Sequence, residues 1–228
     1  MRIRLFLFLL ISFSAFALAN SHVLSKQQLL SKKQANYFDL KFENKELLVT
    51  VDHHGTKRMP TDHLTVWIAK ERGYEASYSF DSGIGETFEK PDTFTIDGFH
   101  FLNISTSPSG SGGFVQENIF WVAPDDSVHP VDLQPASETY ENLASPDEII
   151  LNGGEKEFFV QDNQMKFEFW LAHEGDPHCC PTAGIITGTY KLVGKPKYDF
   201  FERKYVGKLE IQIDQFQHSS ASIASNSR

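Results

Sequence analysis

The stretch TFTIDGFHFLNI, residues 93–104, decides the fold, because it reads as two short strands joined by a tight turn. Asp97 and Gly98 lie between two apolar runs. An Asp-Gly pair favours a type I′ turn, which needs two residues that tolerate positive φ and which connects antiparallel strands. The stretch therefore predicts a β-hairpin.

Alternation of apolar and polar residues continues on both sides of this hairpin. Successive side chains of a strand point to opposite faces, so a period of two indicates a half-buried strand. Residues 119–122, Ile-Phe-Trp-Val, are apolar on both faces, which is typical of a central strand. The pattern predicts strands over residues 38–42, 47–51, 64–68, 114–122, 149–151, 157–161, 165–172, 184–193 and 208–213.

These segments predict a mainly β protein, an antiparallel β-sandwich or a partly open barrel, with a small α+β architecture as the alternative. The chain contains 20 Phe residues, and such large apolar side chains suit a core between sheets. We expect a polar N-terminal segment over residues 20–36, helical or irregular, and a single β-rich domain over residues 37–215. Residues 124–146 predict a long connection, and residues 216–228 a disordered tail.

The N-terminus has the features of a secretory signal peptide. Arg2 and Arg4 precede an apolar run of 14 residues, Leu5 to Leu18, and Ala17-Leu18-Ala19 offers a small-x-small cleavage site. A membrane-spanning helix needs about 20 apolar residues, so the run is short for an anchor, which is the alternative. We therefore expect residues 1–19 to be removed and the protein to be exported, either to the periplasm or to the medium.

The charge of the chain argues against a polyanionic partner. The formal net charge is −9, and removal of two arginines with the leader would make it −11. Such a surface repels nucleic acid and anionic lipid headgroups. No later segment is apolar enough to span a membrane, so we expect no nucleic acid partner and no integral membrane segment. No cofactor is implied.

The two cysteines, Cys179 and Cys180, are adjacent in HEGDPHCCPT, residues 173–182, between two predicted strands. Consecutive Cα atoms lie about 3.8 Å apart, whereas disulfides prefer about 4.4–6.8 Å, so a bridge between neighbours is strained. Four interpretations remain open: a local disulfide, two packed thiols, a redox switch, or a soft-metal site with His178 or His173. Zinc ligands usually have wider spacing, which weakens the metal interpretation.

A resemblance adds to this picture. Residues 175–182, GDPHCCPT, followed by Gly188-Thr189-Tyr190, resemble the signature of a loosely defined, uncharacterised group of exported bacterial proteins and lipoproteins. In that group an acidic turn leads into Cys-Cys-Pro-Ser/Thr and then into a strand with Tyr. The match covers about residues 158–192. It implies a bacterial, extracytoplasmic protein with this loop in a β-hairpin, and it brings no activity with it.

Candidate binding residues follow from the aromatic pattern. Trp121 lies in the strand that is apolar on both faces, so we expect it in the core. Trp170 and Trp67 share strand faces with polar residues, and exposed aromatics on a sheet can stack on sugars or bind a partner. The favoured alternative is that a neighbouring loop or helix covers them. With His173, Asp176 and His178 of the cysteine loop, they form the candidate binding set.

No catalytic motif stands out in the sequence. Asp81, Glu86 and Glu89 could provide paired carboxylates for glycoside hydrolysis, but in a chain with 30 acidic residues a chance cluster of acids is the favoured interpretation. His53-His54 and His63 predict either a metal site or solvated loop histidines. The sequence thus favours an exported, non-catalytic β domain that binds an unknown ligand or partner. A thiol-redox or metal-binding protein and a carbohydrate-active hydrolase are the alternatives.

Overall fold

The structure is a computed structural model, and it describes residues 23–31, 36–42, 44–56, 59–108, 115–136, 139, 148–150, 156–176 and 182–219. The predicted leader, residues 1–19, lies outside these residues. The helix and strands are α1 (Lys26–Ser31), β1 (Asn36–Phe42), β2 (Lys45–Thr56), β3 (Met59–Lys70), β4 (Gly73–Asp81), β5 (Glu86–Phe88), β6 (Asp92–Ile96), β7 (Phe99–Pro108), β8 (Gln116–Val122), β9 (Val128–Leu133), β10 (Glu148–Ile150), β11 (Lys156–Gln161), β12 (Gln164–His173), β13 (Gly184–Val193), β14 (Lys197–Asp199), β15 (Lys204–Val206) and β16 (Glu210–Ser219).

The strands form two main sheets, which confirms the predicted mainly β class. The first is a four-stranded antiparallel meander in the order β1-β2-β3-β4. The second has ten strands, ordered β10-β12-β13-β16-β9-β8-β7-β5, with β11 also on β12 and β6 also on β7. This larger sheet curls into a half-barrel. Strands β14 and β15 form a separate hairpin.

Strands β7 and β8 are buried on both faces and divide the interior into two cores. Phe101 and Trp121 point into the core of the ten-stranded sheet, where they meet side chains such as Phe167 and Phe169. Their chain neighbours Leu102 and Phe120 point to the opposite face and pack against the meander. The prediction of a central strand at residues 119–122 is confirmed, and so is the buried Trp121, which is 3% exposed.

The helix α1 covers the other face of the meander. The helix begins with a capping box. The backbone N–H of Gln28 donates to Ser25 Oγ (3.2 Å), and the backbone N–H of Ser25 donates to Gln28 Oε1 (2.8 Å). Leu29 then packs with Leu48, Trp67 and Tyr74 in a third, small cluster. The helix therefore uses one buried leucine to close a sheet face that would otherwise be exposed.

The β8–β9 turn joins the two sheets. Asp126, at φ 71°, lies between the ammonium groups of Lys45 (2.5 Å to Oδ1) and Lys70 (2.5 Å to Oδ2), which belong to the meander. Ser77 Oγ of β4 donates to the Asp126 carbonyl oxygen (2.8 Å). One residue of the larger sheet thus makes polar contacts with three strands of the smaller one.

Two hairpin turns have positive φ at both central residues, and one of them is the predicted Asp97-Gly98 turn. Asp97 and Gly98 have φ of 52° and 78°, as a type I′ turn requires, and Asp162 and Asn163 have φ of 52° and 59°. These turns connect β6 to β7 and β11 to β12.

Five of the described strands were missed by the sequence patterns: β4, β5, β9, β14 and β15. Strand β9 lies inside residues 124–146, which had been predicted as a long connection. Pro130 argues against a strand, because proline has no N–H to donate to a neighbouring strand. It is tolerated here because β9 pairs at Pro130 with β8 alone, whereas β16 pairs only with Asp132 and Leu133. Strand β16 reaches Ser219, so residues 216–219 belong to a strand and not to the predicted tail.

No helix of the described residues is long and apolar enough to cross a membrane.

Candidate functional site

The candidate site lies on the outer face of the ten-stranded sheet, around β12. Met165, Phe167, Phe169 and Leu171 of this strand point into the core. The residues between them face outward, because side chains alternate along a strand. The outward side therefore carries Gln164, Lys166, Glu168 and Trp170, as the sequence predicted.

Neighbouring strands extend this face into polar rows. Lys166 pairs with Thr189, which pairs with Gln215 of β16. Glu168 pairs in the same way with Thr187 and then with Gln217. These rows line a shallow groove of about 600 Å³, whose other lining residues include Phe159, Gln161, Gln164 and Phe216.

The groove offers many neutral hydrogen-bonding groups. Gln161, Gln164, Gln215 and Gln217 are exposed, and their amides make no side-chain hydrogen bond to another described residue. Each amide can donate and accept, and so can the threonine hydroxyls beside them. The groove is therefore equipped to bind a ligand that carries many donors and acceptors, such as hydroxyl groups.

Trp170 extends the same face beyond the groove. It pairs with Ile185 and is 41% exposed. It lies two residues from Glu168, or about 7 Å along the strand. An indole at this position forms an apolar platform at the end of a polar surface.

Trp67 is not part of this surface. It is 8% exposed, and it packs in the cluster formed with Leu29 of α1. Its indole Nε1–H donates to Thr50 Oγ1 (2.9 Å), so its polar atom is satisfied inside the protein. Trp67 is therefore not a binding residue of this surface, and the alternative holds for it: the helix α1 covers the sheet face on which it lies.

The base of the cysteine loop is fixed by one carboxylate. Asp176 accepts hydrogen bonds from the backbone N–H groups of His173 (2.8 Å) and Thr182 (2.9 Å), and from Thr182 Oγ1 (2.8 Å). The Thr182 and His173 hydrogen bonds hold the pKa of Asp176 below its usual value. Asp176 thus has a structural task at the β12–β13 connection. His178, Cys179 and Cys180 lie outside the described residues.

A cluster of Asp125, Ser127 and His129 was missed by the sequence analysis. Ser127 Oγ lies 2.5 Å from Asp125 Oδ1 and 2.6 Å from His129 Nε2. Burial raises the pKa of Asp125, but hydrogen bonds from Ser127 and from the Tyr205 N–H outweigh this and lower it, so the group is a carboxylate. A carboxylate only accepts, so the Ser127 hydroxyl donates to Asp125 and accepts from His129 Nε2–H. With this direction of the hydrogen bonds, His129 does not accept the Ser127 hydroxyl proton, as the histidine of a catalytic triad does.

The histidines of the β2–β3 hairpin lie on strands and not in a loop, which corrects the sequence interpretation. His53 Nδ1 lies 2.5 Å from Asp62 Oδ1, and Asp62 is fully buried. His63 Nδ1 lies 2.6 Å from Asp81 Oδ1. The two pairs lie on opposite faces of β3, because Asp62 and His63 are consecutive. Among the described residues, no group of three metal-ligating side chains forms.

The three acids considered for hydrolysis are not joined by a described contact. Asp81 pairs with His63. Glu86 Oε2 accepts the Gly83 N–H (3.0 Å) and closes the turn before β5. The Glu89 N–H donates to the Ser105 carbonyl oxygen (2.8 Å), which places its backbone beside β7. Two of the three carboxylates therefore hold local structure.

Comparisons of the chain with protein-family models, with curated proteins and with solved structures gave no match. They do not bear on the Cys-Cys-Pro signature, so the resemblance to exported bacterial proteins stays a prediction.

Proposed function

We propose that this protein is an exported, non-catalytic binding domain whose ligand is a carbohydrate, bound on the outer face of β11, β12, β13 and β16. The observation that carries the proposal is the groove of about 600 Å³, lined by exposed glutamines and threonines and extended by the half-exposed Trp170. Here we call the groove and Trp170 together the ligand face.

The chemistry of the ligand face matches that of a sugar chain. A sugar presents many hydroxyl groups, each of which donates and accepts, and amides and hydroxyls complement them in both roles. One side of a sugar ring is apolar, and it can pack on an exposed indole. Lys166 and Glu168, of opposite charge, are the charged residues among those that line the groove, which favours a neutral ligand.

Two further elements of the proposal rest on other observations. Export rests on the leader-like residues 1–19 of the sequence. The absence of catalysis rests on the direction of the Ser127 hydrogen bond and on the local roles of Asp81 and Glu86. A thiol-redox or metal-binding role for Cys179 and Cys180 remains the alternative, because Asp176 holds together the two ends of the loop that carries them. A carbohydrate-active hydrolase remains the second alternative.

The test is affinity electrophoresis of the mature chain in gels that contain a neutral polysaccharide, with a panel of glucan, mannan, xylan and galactan. We expect at least one polysaccharide to retard the protein. Trp170→Ala should weaken that binding about tenfold, which corresponds to about 1.4 kcal/mol. Gln215→Ala and Gln217→Ala should weaken it as well.

Tyr37→Ala is the matched control, because Tyr37 is an exposed aromatic on β1 of the other sheet. It should bind as the wild type does. The proposal fails if no polysaccharide of the panel binds, or if Trp170→Ala and Tyr37→Ala bind equally well. Circular dichroism of each variant separates loss of binding from loss of fold.

A further inference from the structure

The β14–β15 hairpin presents two phenylalanines to solvent at its tip. Phe200 is 82% exposed and Phe201 is 98% exposed, and they lie between Asp199 and Glu202 in the turn. Exposure of two adjacent large apolar side chains is unfavourable in water, because each loses the free energy that burial would provide. Exposed apolar patches commonly mark a surface that contacts something else.

The hairpin is held firmly at its base. Tyr205 packs edge-on against Trp121 of the core, with ring centroids 5.2 Å apart. The Tyr205 N–H donates to Asp125 Oδ2 (3.2 Å), so the Asp125 cluster anchors the hairpin. Tyr198 packs in turn against Tyr205, with centroids 5.3 Å apart. The tip therefore projects from a base that belongs to the core.

The turn itself is also ordered by hydrogen bonds. Asp199 Oδ1 accepts from the N–H groups of Phe201 (2.8 Å) and Glu202 (3.0 Å), and Arg203 has φ 52°. A carboxylate that accepts two backbone N–H groups fixes the direction of the chain that follows it. The exposed rings are thus presented by a preformed turn.

Cationic residues surround the tip, although the chain as a whole is acidic. Residues 195–208 contain five basic and two acidic residues, a net charge of +3, in a chain of net charge −9. Lys204 pairs with Glu202 (2.5 Å) and Lys208 pairs with Asp132 (3.2 Å). Lys195, Lys197 and Arg203 are exposed and form no ion pair with another residue of the described chain.

We propose that this hairpin docks on an anionic lipid surface, with Phe200 and Phe201 inserted at the level of the headgroups. Aromatic rings suit the membrane interface, and basic residues beside them attract anionic headgroups. Long lysine and arginine side chains can keep their charge among the headgroups while the rings go deeper. A projecting tip with basic residues beside it fits a lipid surface. It fits a protein partner less well, because such a partner would need a cavity to receive the tip.

This inference does not depend on the carbohydrate proposal, because the ligand face lies on other residues. From its net charge we expect the acidic chain as a whole to repel anionic lipid. The hairpin is an exception to this expectation, because its local net charge is positive. Charge reversal at one projecting point would orient the protein on the membrane as well as attract it.

The test is co-sedimentation of the mature chain with two kinds of vesicle, phosphatidylcholine alone and phosphatidylcholine mixed with phosphatidylglycerol. We expect binding to the mixed vesicles, at least tenfold weaker binding to pure phosphatidylcholine, and loss of binding in high salt. The double variant Phe200→Ser, Phe201→Ser should bind the mixed vesicles at least tenfold more weakly. Ile84→Ser should bind as the wild type does, because Ile84 is 77% exposed but lies in a turn of the other end of the fold.

A second measurement tests insertion directly. With Phe201→Trp, the emission of the new tryptophan should shift to shorter wavelength when mixed vesicles are added. The inference is overturned if the double serine variant binds as well as the wild type, if no vesicle binds, or if the emission does not shift. It is overturned in favour of a protein contact if the wild type self-associates through these residues and ignores vesicles.

Discussion

At the scale of single residues, Asp126 has the clearest energetic role. Burial raises its pKa, but hydrogen bonds and charge from Lys45 and Lys70 outweigh burial, so the pKa of Asp126 lies below its usual value. A carboxyl group whose pKa is lowered by folding stabilises the folded state above its unfolded pKa. That contribution is lost as the pH falls through the folded pKa.

We therefore predict that Asp126→Asn destabilises the protein by about 1–2 kcal/mol at neutral pH, since it removes charge-assisted hydrogen bonds. The variant should also lose part of the acid-induced drop in stability between about pH 5 and pH 2. Urea unfolding at a series of pH values measures both effects. Asp132→Asn is the control, because its pair with Lys208 is exposed and such pairs contribute little. Equal unfolding midpoints for the two variants at neutral pH would contradict the role given to Asp126.

At the scale of elements, Gly188 shows how closely β13 approaches its neighbours. A Cβ atom at this position would collide with Phe167 Cζ and with the backbone oxygen of Gln215, on the two adjacent strands. The aromatic ring of Phe167 is fully buried, so it has little room to move. Glycine here lets β12, β13 and β16 lie side by side beneath the ligand face.

We predict that Gly188→Ala destabilises the protein by about 1–3 kcal/mol, which is the usual cost of overpacking a core. Thermal unfolding measures the loss. Thr187→Ala is the control from the next position, because it removes atoms from the outer face without entering the core. The combined variant Gly188→Ala, Phe167→Leu should recover part of the stability if the collision with the ring is the cause. No recovery would assign the cost to the Gln215 backbone.

Elements with strong local signals could be predicted from the sequence. The Asp97-Gly98 turn and the doubly apolar residues 119–122 carry their signal within a few positions, so the β6–β7 hairpin and the central strand were predicted. Strand β9 was missed because Pro130 suggests a break, and β14 and β15 were missed because each has only three residues, too few to show an alternating pattern.

The ligand face could be predicted only in part, for a reason of register. Trp170 and its outward neighbours follow from alternation along one strand. Gln215 and Gln217 join them only because β16 pairs with β13, from which it is separated in the chain by residues 194–209. The pairing also contains a bulge between Thr189 and Tyr190, which shifts the register. Alternation within β16 hints at polar outward positions, but which strand lies next to it, and in which register, depends on tertiary packing.

At the scale of the whole molecule, the two halves of the ten-stranded sheet meet at β16. It pairs with β13 on one side and, in parallel, with β9 on the other, where Glu210 and Ile211 lie beside Asp132 and Leu133. Ile211 is fully buried in the core that both halves share. The last of the described strands is thus an interior strand of the sheet.

We predict that a chain truncated after residue 209 does not fold, because it loses an interior strand and leaves two strand edges unpaired. A chain truncated after Ser219 retains every described strand and should unfold at the wild-type temperature. Circular dichroism and thermal unfolding compare the two. A cooperative transition in the shorter chain would show that the sheet holds without β16.

The position of β16 also constrains when this protein can fold during its synthesis. Translation proceeds from the N-terminus, so residues 210–219 leave the ribosome after every other described strand. Until they do, β13 and β9 have no common partner and the larger sheet stays open along its middle. During that interval the unpaired edges of β13 and β9 are exposed, and unpaired strand edges favour aggregation until β16 closes the sheet.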